Sequence, residues 1–315
     1  MNKLIVSSSP HIASKDTTQR IMLDVVIALM PAAIAAAVIF GLGAIIIILT
    51  CMVSCVLAEY LFNLITKKKQ TVGDLTAVVT GLILALNLRA DAPLWQCVIG
   101  AVFAIVVVKC LFGGLGCNFA NPAATARVFL LVCFAGTLAG GAKPLLSSAP
   151  ELVSGATPLV ALSSGAEMPS LLDMFLGLRG GAMGEGCIAA ILLGFIYLVV
   201  RKVIYFEPTL IFVGTVFVLS LIIKQDIVLA TYEILGGGLL IGAIFMATDY
   251  VTTPTNRLGK SVFCLLCGII TVLIRFYGYY PEGVSFSILF MNIVCPYIQK
   301  ITRRKPLGSG GVKNA

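Results

Sequence analysis

Apolar residues run along this chain in ten long stretches, not in the strict alternation of half-buried strands. The stretches lie near 23–40, 43–65, 73–88, 94–112 and 123–142, and, after a gap, near 186–204, 208–223, 227–247, 260–277 and 284–299. Most approach the roughly 20 residues that an α-helix needs to cross about 30 Å of hydrocarbon. The pattern predicts an all-α integral membrane protein with about ten transmembrane helices in two groups of five. It divides the chain into a polar tail (1–22), a first five-helix unit (23–142), a long connecting segment (143–185), a second five-helix unit (186–299) and a short basic tail (300–315). Residues 1–20 are mostly polar and no small-residue cleavage site follows the first apolar run, so that run is expected to stay as a span.

Composition strengthens this reading. Hydrophobic residues make up 59% of the chain and charged ones 11%, with a mean hydropathy of +1.05. A soluble domain this apolar would lack the polar surface to cover itself. The net charge of +8 does not point to nucleic acid, because the basic residues sit in short clusters between apolar runs and near the C-terminus. They read as topology signals. With the N-terminus inside, 17 of the 22 Lys and Arg residues fall inside, leaving Arg89, Lys143, Arg179, Lys224 and Arg275 outside. Both termini are then cytoplasmic and segment 143–185 is extracytoplasmic.

The two groups also resemble each other. GLILALNL (81–88) leads to GGLGCNFANPAATARVF (113–129), and GLLIGAIFMATD (238–249) leads to GYYPEGVSFSILFMN (278–292). A duplicated unit with an odd number of spans inserts with opposite orientation, the origin of inverted-repeat transport proteins. Chance similarity between Gly-rich apolar segments is the alternative. Glycine in membrane helices serves close packing, the reading favoured for Gly236, Gly237 and Gly238 taken alone. Segment 113–122 reads as a functional loop, since Asn118 and Asn121 add amides able to hold a polar ring, a carbonyl or an ion.

Ionised groups at membrane depth are costly and tend to mark ion or proton paths. Among the acids in or near the spans, Glu59 and Asp249 are the better candidates, whereas Asp24, Asp74 and Asp226 sit at boundaries where a helix start explains them. The ten cysteines lie mainly inside spans. Cys51 with Cys55 and Cys264 with Cys267 are spaced like packing residues, and paired CxxC ligand loops are missing from the sequence. The single histidine, His11, excludes a bis-His haem within the bundle, and no Walker loop is present. In the connecting segment, SGAT (154–157) is a small-residue turn that presents the Thr157 hydroxyl. Without a histidine nearby, Thr157 is not a self-activated nucleophile; any covalent modification there needs a separate enzyme, and a plain polar turn remains the alternative.

The sequence resembles the D subunit of the Rnf ion-translocating electron-transport complex and its relative, the B subunit of the sodium-pumping NADH:quinone oxidoreductase. The resemblance rests on SPHI (9–12) before TTQRIMLDVVIALMPA (17–32), KCLFGGLGCNFANPA (109–123), SGAT (154–157), FMATDYVTTPTNRLGK (245–260) and FYGYYPEGVSFSILFMN (276–292). It implies that Thr157 carries FMN through a phosphoester to the ribityl phosphate, installed by a flavin transferase outside the cytoplasm. Glu151 stands where the family's attachment pattern usually has Asp. The resemblance further implies a redox-driven translocase of the prokaryotic cytoplasmic membrane that is not catalytic alone. It implies partners in the other Rnf subunits (A, B, C, E and G) and movement of Na⁺ or H⁺. A second, noncovalent flavin, riboflavin, is expected within the helices near Asn118 and Asn121, with Asp249 and Glu59 on the ion path. A stand-alone secondary transporter with inverted repeats and no redox role is the alternative from another class; a purely structural anchor is a third.

Overall fold

The computed structural model describes residues 17–138, 142, 159, 170–177, 180–278 and 282–303. The SPHI segment and Thr157 with its SGAT turn lie outside the described residues.

Helices carry all ten predicted stretches, and among the described residues the only β pairing is an isolated bridge between Ala142 and Gly181. Helix α1 (Thr18–Phe40) starts at Thr17, whose hydroxyl accepts from the Arg20 N–H at 3.3 Å. It turns into α2 (Leu42–Ile65) through Gly41 alone, at φ 72°. With 23 and 24 residues, each reaches about 35 Å at 1.5 Å per residue, enough to span hydrocarbon. Helices α7 (Phe206–Lys224), α10 (Arg257–Tyr277) and α11 (Val284–Thr302) are likewise long and apolar enough to cross.

The remaining elements are shorter or broken, and here the expected spans are corrected. Helix α3 (Thr76–Leu86) has 11 residues, about 16 Å, in place of the full stretch 73–88. It begins only after a 3₁₀ turn (Val72–Asp74) and Leu75 at φ 59°, and it ends at Asn87, whose amide donates back to the Ile83 carbonyl at 2.8 Å. Helix α5 (Pro122–Cys133) is shorter than the expected 123–142, because Phe134 leaves helical geometry after Cys133. Helix α6 (Ile188–Val200) is shorter than 186–204. The expected span 227–247 is two helices, α8 (Ile227–Leu235) and α9 (Leu239–Met246), bent by 61° at Gly236, Gly237 and Gly238. Gly237 and Gly238 take φ 65° and 64°, the left-handed region that glycine enters without steric cost. These glycines therefore break the helix and do more than allow close packing. Helix α4 (Leu94–Cys110) is also shorter than the expected 94–112, and its last eight residues are π-helical, as are the last five of α9.

Both groups pack in one internal pattern. Helix α2 lies against α3 and α4, and α7 against α8 and α10; α1 meets α6, and α5 meets α11, across the two groups. Small residues permit close approach: Ala28, Ala32 and Ala36 are buried on α1, and Gly194 of α6 sits against the Ala28 carbonyl. The outer faces are apolar, with Leu42, Ile65 and Val200 largely exposed, as expected of a surface that meets lipid. A Cβ at Gly194 would collide with backbone, so Gly194→Leu should push α1 and α6 apart. Overpacking of this kind costs about 1–3 kcal/mol, read as a lower thermal midpoint in detergent than for Ala189→Leu on the same helix.

Candidate functional site in a cleft between the two groups

The helix ends created by these breaks converge. A cleft of about 90 Å³ opens between α1, α3, the loop before α5, α6 and α9. Its walls are largely apolar, with Val79, Ile83, Leu198 and Phe245, and its polar groups are Thr76, Thr80, Lys109, Asn118, Asn121, Thr248, Asp249 and Tyr250. Asn121 is held in place: its side-chain oxygen caps α5 by accepting from Ala123 and Ala124 N–H at 3.0 and 3.1 Å, and its amide donates to the Met246 carbonyl at the end of α9. With its amide oriented so that both ends are satisfied, Asn292 on α11 accepts from the Asn121 N–H at 2.9 Å and donates to the Thr252 carbonyl at 3.2 Å. Asn87, at the end of α3, donates to the Met246 sulfur at 3.7 Å. Asn118 differs, because its side-chain oxygen is buried without a hydrogen-bond partner among the described residues. A buried acceptor left open costs roughly 1–3 kcal/mol, so it suits a donor brought by a ligand. The cleft thus combines apolar walls with a few placed polar groups, the usual make-up of a cofactor pocket.

One cation lines the cleft among these described residues. Lys109 Nζ lies 2.9 Å from both oxygens of Glu59 and 2.6 Å from Thr76 Oγ1. Glu59 also accepts from Thr71 at 2.5 Å, and Thr71 from Asn63 at 3.0 Å. Lys109 and Glu59 are both almost wholly buried. Lys109 falls in the π-helical turn, whose extra residue rotates later side chains by about 100° relative to an α continuation. That rotation helps to aim the lysine inward.

Of the sequence-predicted residues, Asn118, Asn121 and Asp249 line the cleft, and Glu59 stands one side chain behind it. Asp249 follows the end of α9; it accepts from Thr252 Oγ1 at 2.9 Å and from the Val251 N–H. Near Thr157 only Leu159 is described: it is buried against Gly236 and Gly237 at the α8–α9 break. Arg275 donates to Glu233 and to the Gly236 and Gly237 carbonyls at the same break, and Arg127 pairs with Glu282 at 2.7 Å. Sequence reading missed Lys109, Arg127 and Arg275 as site or joint residues. The available signal was a cation inside or at the end of an apolar run, counted there only as a topology charge.

Apolar helices, several of them broken, packed around a cleft with a polar lining define a multi-pass membrane protein. The chain belongs to the NQR2, RnfD, RnfE family, whose model matches residues 5–308. It is 43% identical over 314 residues to the D subunit of the Na⁺-translocating ferredoxin:NAD⁺ oxidoreductase complex of Acetobacterium woodii, covering 98% of this chain and 97% of that one. It is 36% identical to the D subunit of the proton-translocating ferredoxin:NAD⁺ oxidoreductase complex of Clostridium ljungdahlii, again over 98% and 97%. It is 32% identical to the D subunit of an ion-translocating oxidoreductase complex of Escherichia coli, over 96% and 98%.

Two outcomes follow from this geometry. Lys109→Met should destabilise the chain by about 3–5 kcal/mol, since it strands a buried carboxylate; Glu59→Leu with Lys109→Met should recover most of that in detergent unfolding.

Proposed function

We propose that this chain is the membrane-embedded D subunit of an ion-translocating ferredoxin:NAD⁺ oxidoreductase complex, part of a redox-driven translocase and not catalytic alone. Near-full-length similarity to D subunits of such complexes supports the class. In this reading the two five-helix units are inverted repeats in a prokaryotic cytoplasmic membrane, with both termini cytoplasmic. Segment 143–185 is extracytoplasmic, and Thr157 bears FMN placed there by a flavin transferase. The other Rnf subunits are its partners.

The cleft is the seat of a second, noncovalent flavin, riboflavin. The single observation that carries this reading is the partnerless oxygen of Asn118 in an apolar-walled cleft between the two groups of helices. A flavin supplies one- or two-electron transfer when bound. The chain's own residues do the rest: Asn118 accepts a ring donor, Asn121 fixes the loop through its cap on α5, and the apolar walls exclude water. Asp249 and Glu59, beside and behind the cleft, belong to the path for Na⁺ or H⁺. Relatives named for either ion exist, and ion choice rests on ligand geometry finer than residue type.

The covalent assignment is tested by co-expressing the chain with a flavin transferase and viewing a denaturing gel under ultraviolet light. The wild-type band should fluoresce and Thr157→Ala should not; a dark wild-type band, or a fluorescent mutant, refutes it. The secondary-transporter alternative expects no chromophore at all.

A further inference from the structure

The Lys109–Glu59 pair is asymmetric with respect to the cleft: Lys109 lines it, whereas Glu59 does not. The pair therefore turns its positive end toward any occupant. On the far side, Glu59 accepts from the Thr71 hydroxyl, which in turn accepts from the Asn63 amide, and Thr71 is exposed. The three ammonium hydrogens are matched by three contacts, two to Glu59 and one to Thr76. A new bond to a cleft occupant must replace one of them. In a site of low dielectric, a fixed charge a few ångströms away weighs far more than in water. An uncharged oxidised flavin leaves the ammonium to Glu59, whereas a ring made negative by reduction competes for it.

We propose that Lys109 is a positioning cation shared between Glu59 and the flavin of the cleft. Negative charge on the ring draws the ammonium toward the cleft and loosens Glu59, which opens that carboxylate to a cation or proton arriving from the Thr71 side. Electron gain in the cleft and cation uptake at Glu59 are then two results of one displacement. The proposal rests on the flavin reading of the cleft.

The test uses the full chain, expressed without a flavin transferase, purified in detergent and loaded with riboflavin. The midpoint potential of the bound flavin is read by spectroelectrochemistry in wild type, Glu59→Gln, Lys109→Gln and the double variant. Neutralising Glu59 leaves the full lysine charge on the cleft, so the potential should rise. Neutralising Lys109 should lower it, and the double variant should fall between the two. The step from Glu59→Gln to the double variant should weaken binding of reduced relative to oxidised flavin at least tenfold, or 59 mV for a one-electron couple. That comparison stands even if Lys109→Gln alone fails to fold, and a general loosening of structure would not give shifts of opposite sign. Equal potentials, or shifts of one sign, overturn the role of Lys109 while leaving the flavin site intact. A wild-type chain that binds no riboflavin overturns the flavin reading and this proposal together.

Discussion

In hydrocarbon, a helix end is a liability. Its orphan N–H and C=O groups find no water, and each one left unpaired costs several kcal/mol. The fold can be understood as a response to that constraint. Helices α3, α4, α5, α6, α8 and α9 are too short to cross alone, so their ends are satisfied by the chain itself. Asn121 caps α5 and reaches the last turn of α9, Asn87 reaches the same turn from α3, and Asn292 ties the start of α5 to the stretch of chain beyond α9. Arg275 performs the same service for the end of α8, through three backbone carbonyls. Where helix ends meet, a cleft remains, and its polar lining consists in part of these satisfied termini.

The same constraint connects structure to chemistry. A cleft lined by fixed amides and hydroxyls in an apolar setting is preorganised, since those groups need little rearrangement to meet a polar ring. The ion pair behind it is costly to bury and weak evidence for stability. Its value lies in position: it joins the cleft wall to the exposed edge at Thr71 through side chains alone.

Much of this was legible in the chain. The ten apolar stretches gave the helices because a membrane span is a composition signal on the scale of a whole element. Asn118 and Asn121 stood out as amides beside glycines in a loop between apolar runs, and Asp249 as an acid at the end of one; all three line the cleft. The breaks were less legible. Residues 227–247 read as one apolar run, because hydropathy does not register the positive φ of Gly237 and Gly238. Lys109 escaped for another reason. Its partner Glu59 is 50 residues away, and the rotation that helps to aim it inward comes from a π-helical turn that no periodicity of the sequence marks.

The central claim is that meeting helix ends build a flavin seat around the open oxygen of Asn118. Its most direct measurement is retention of riboflavin by the purified chain through gel filtration, compared between wild type and Asn118→Leu, with noncovalent flavin quantified in the protein peak after acid extraction. The account predicts a stoichiometric flavin in the wild type and its loss in the variant, with both eluting at the same volume. Equal retention by the two, or none in the wild type, would contradict it.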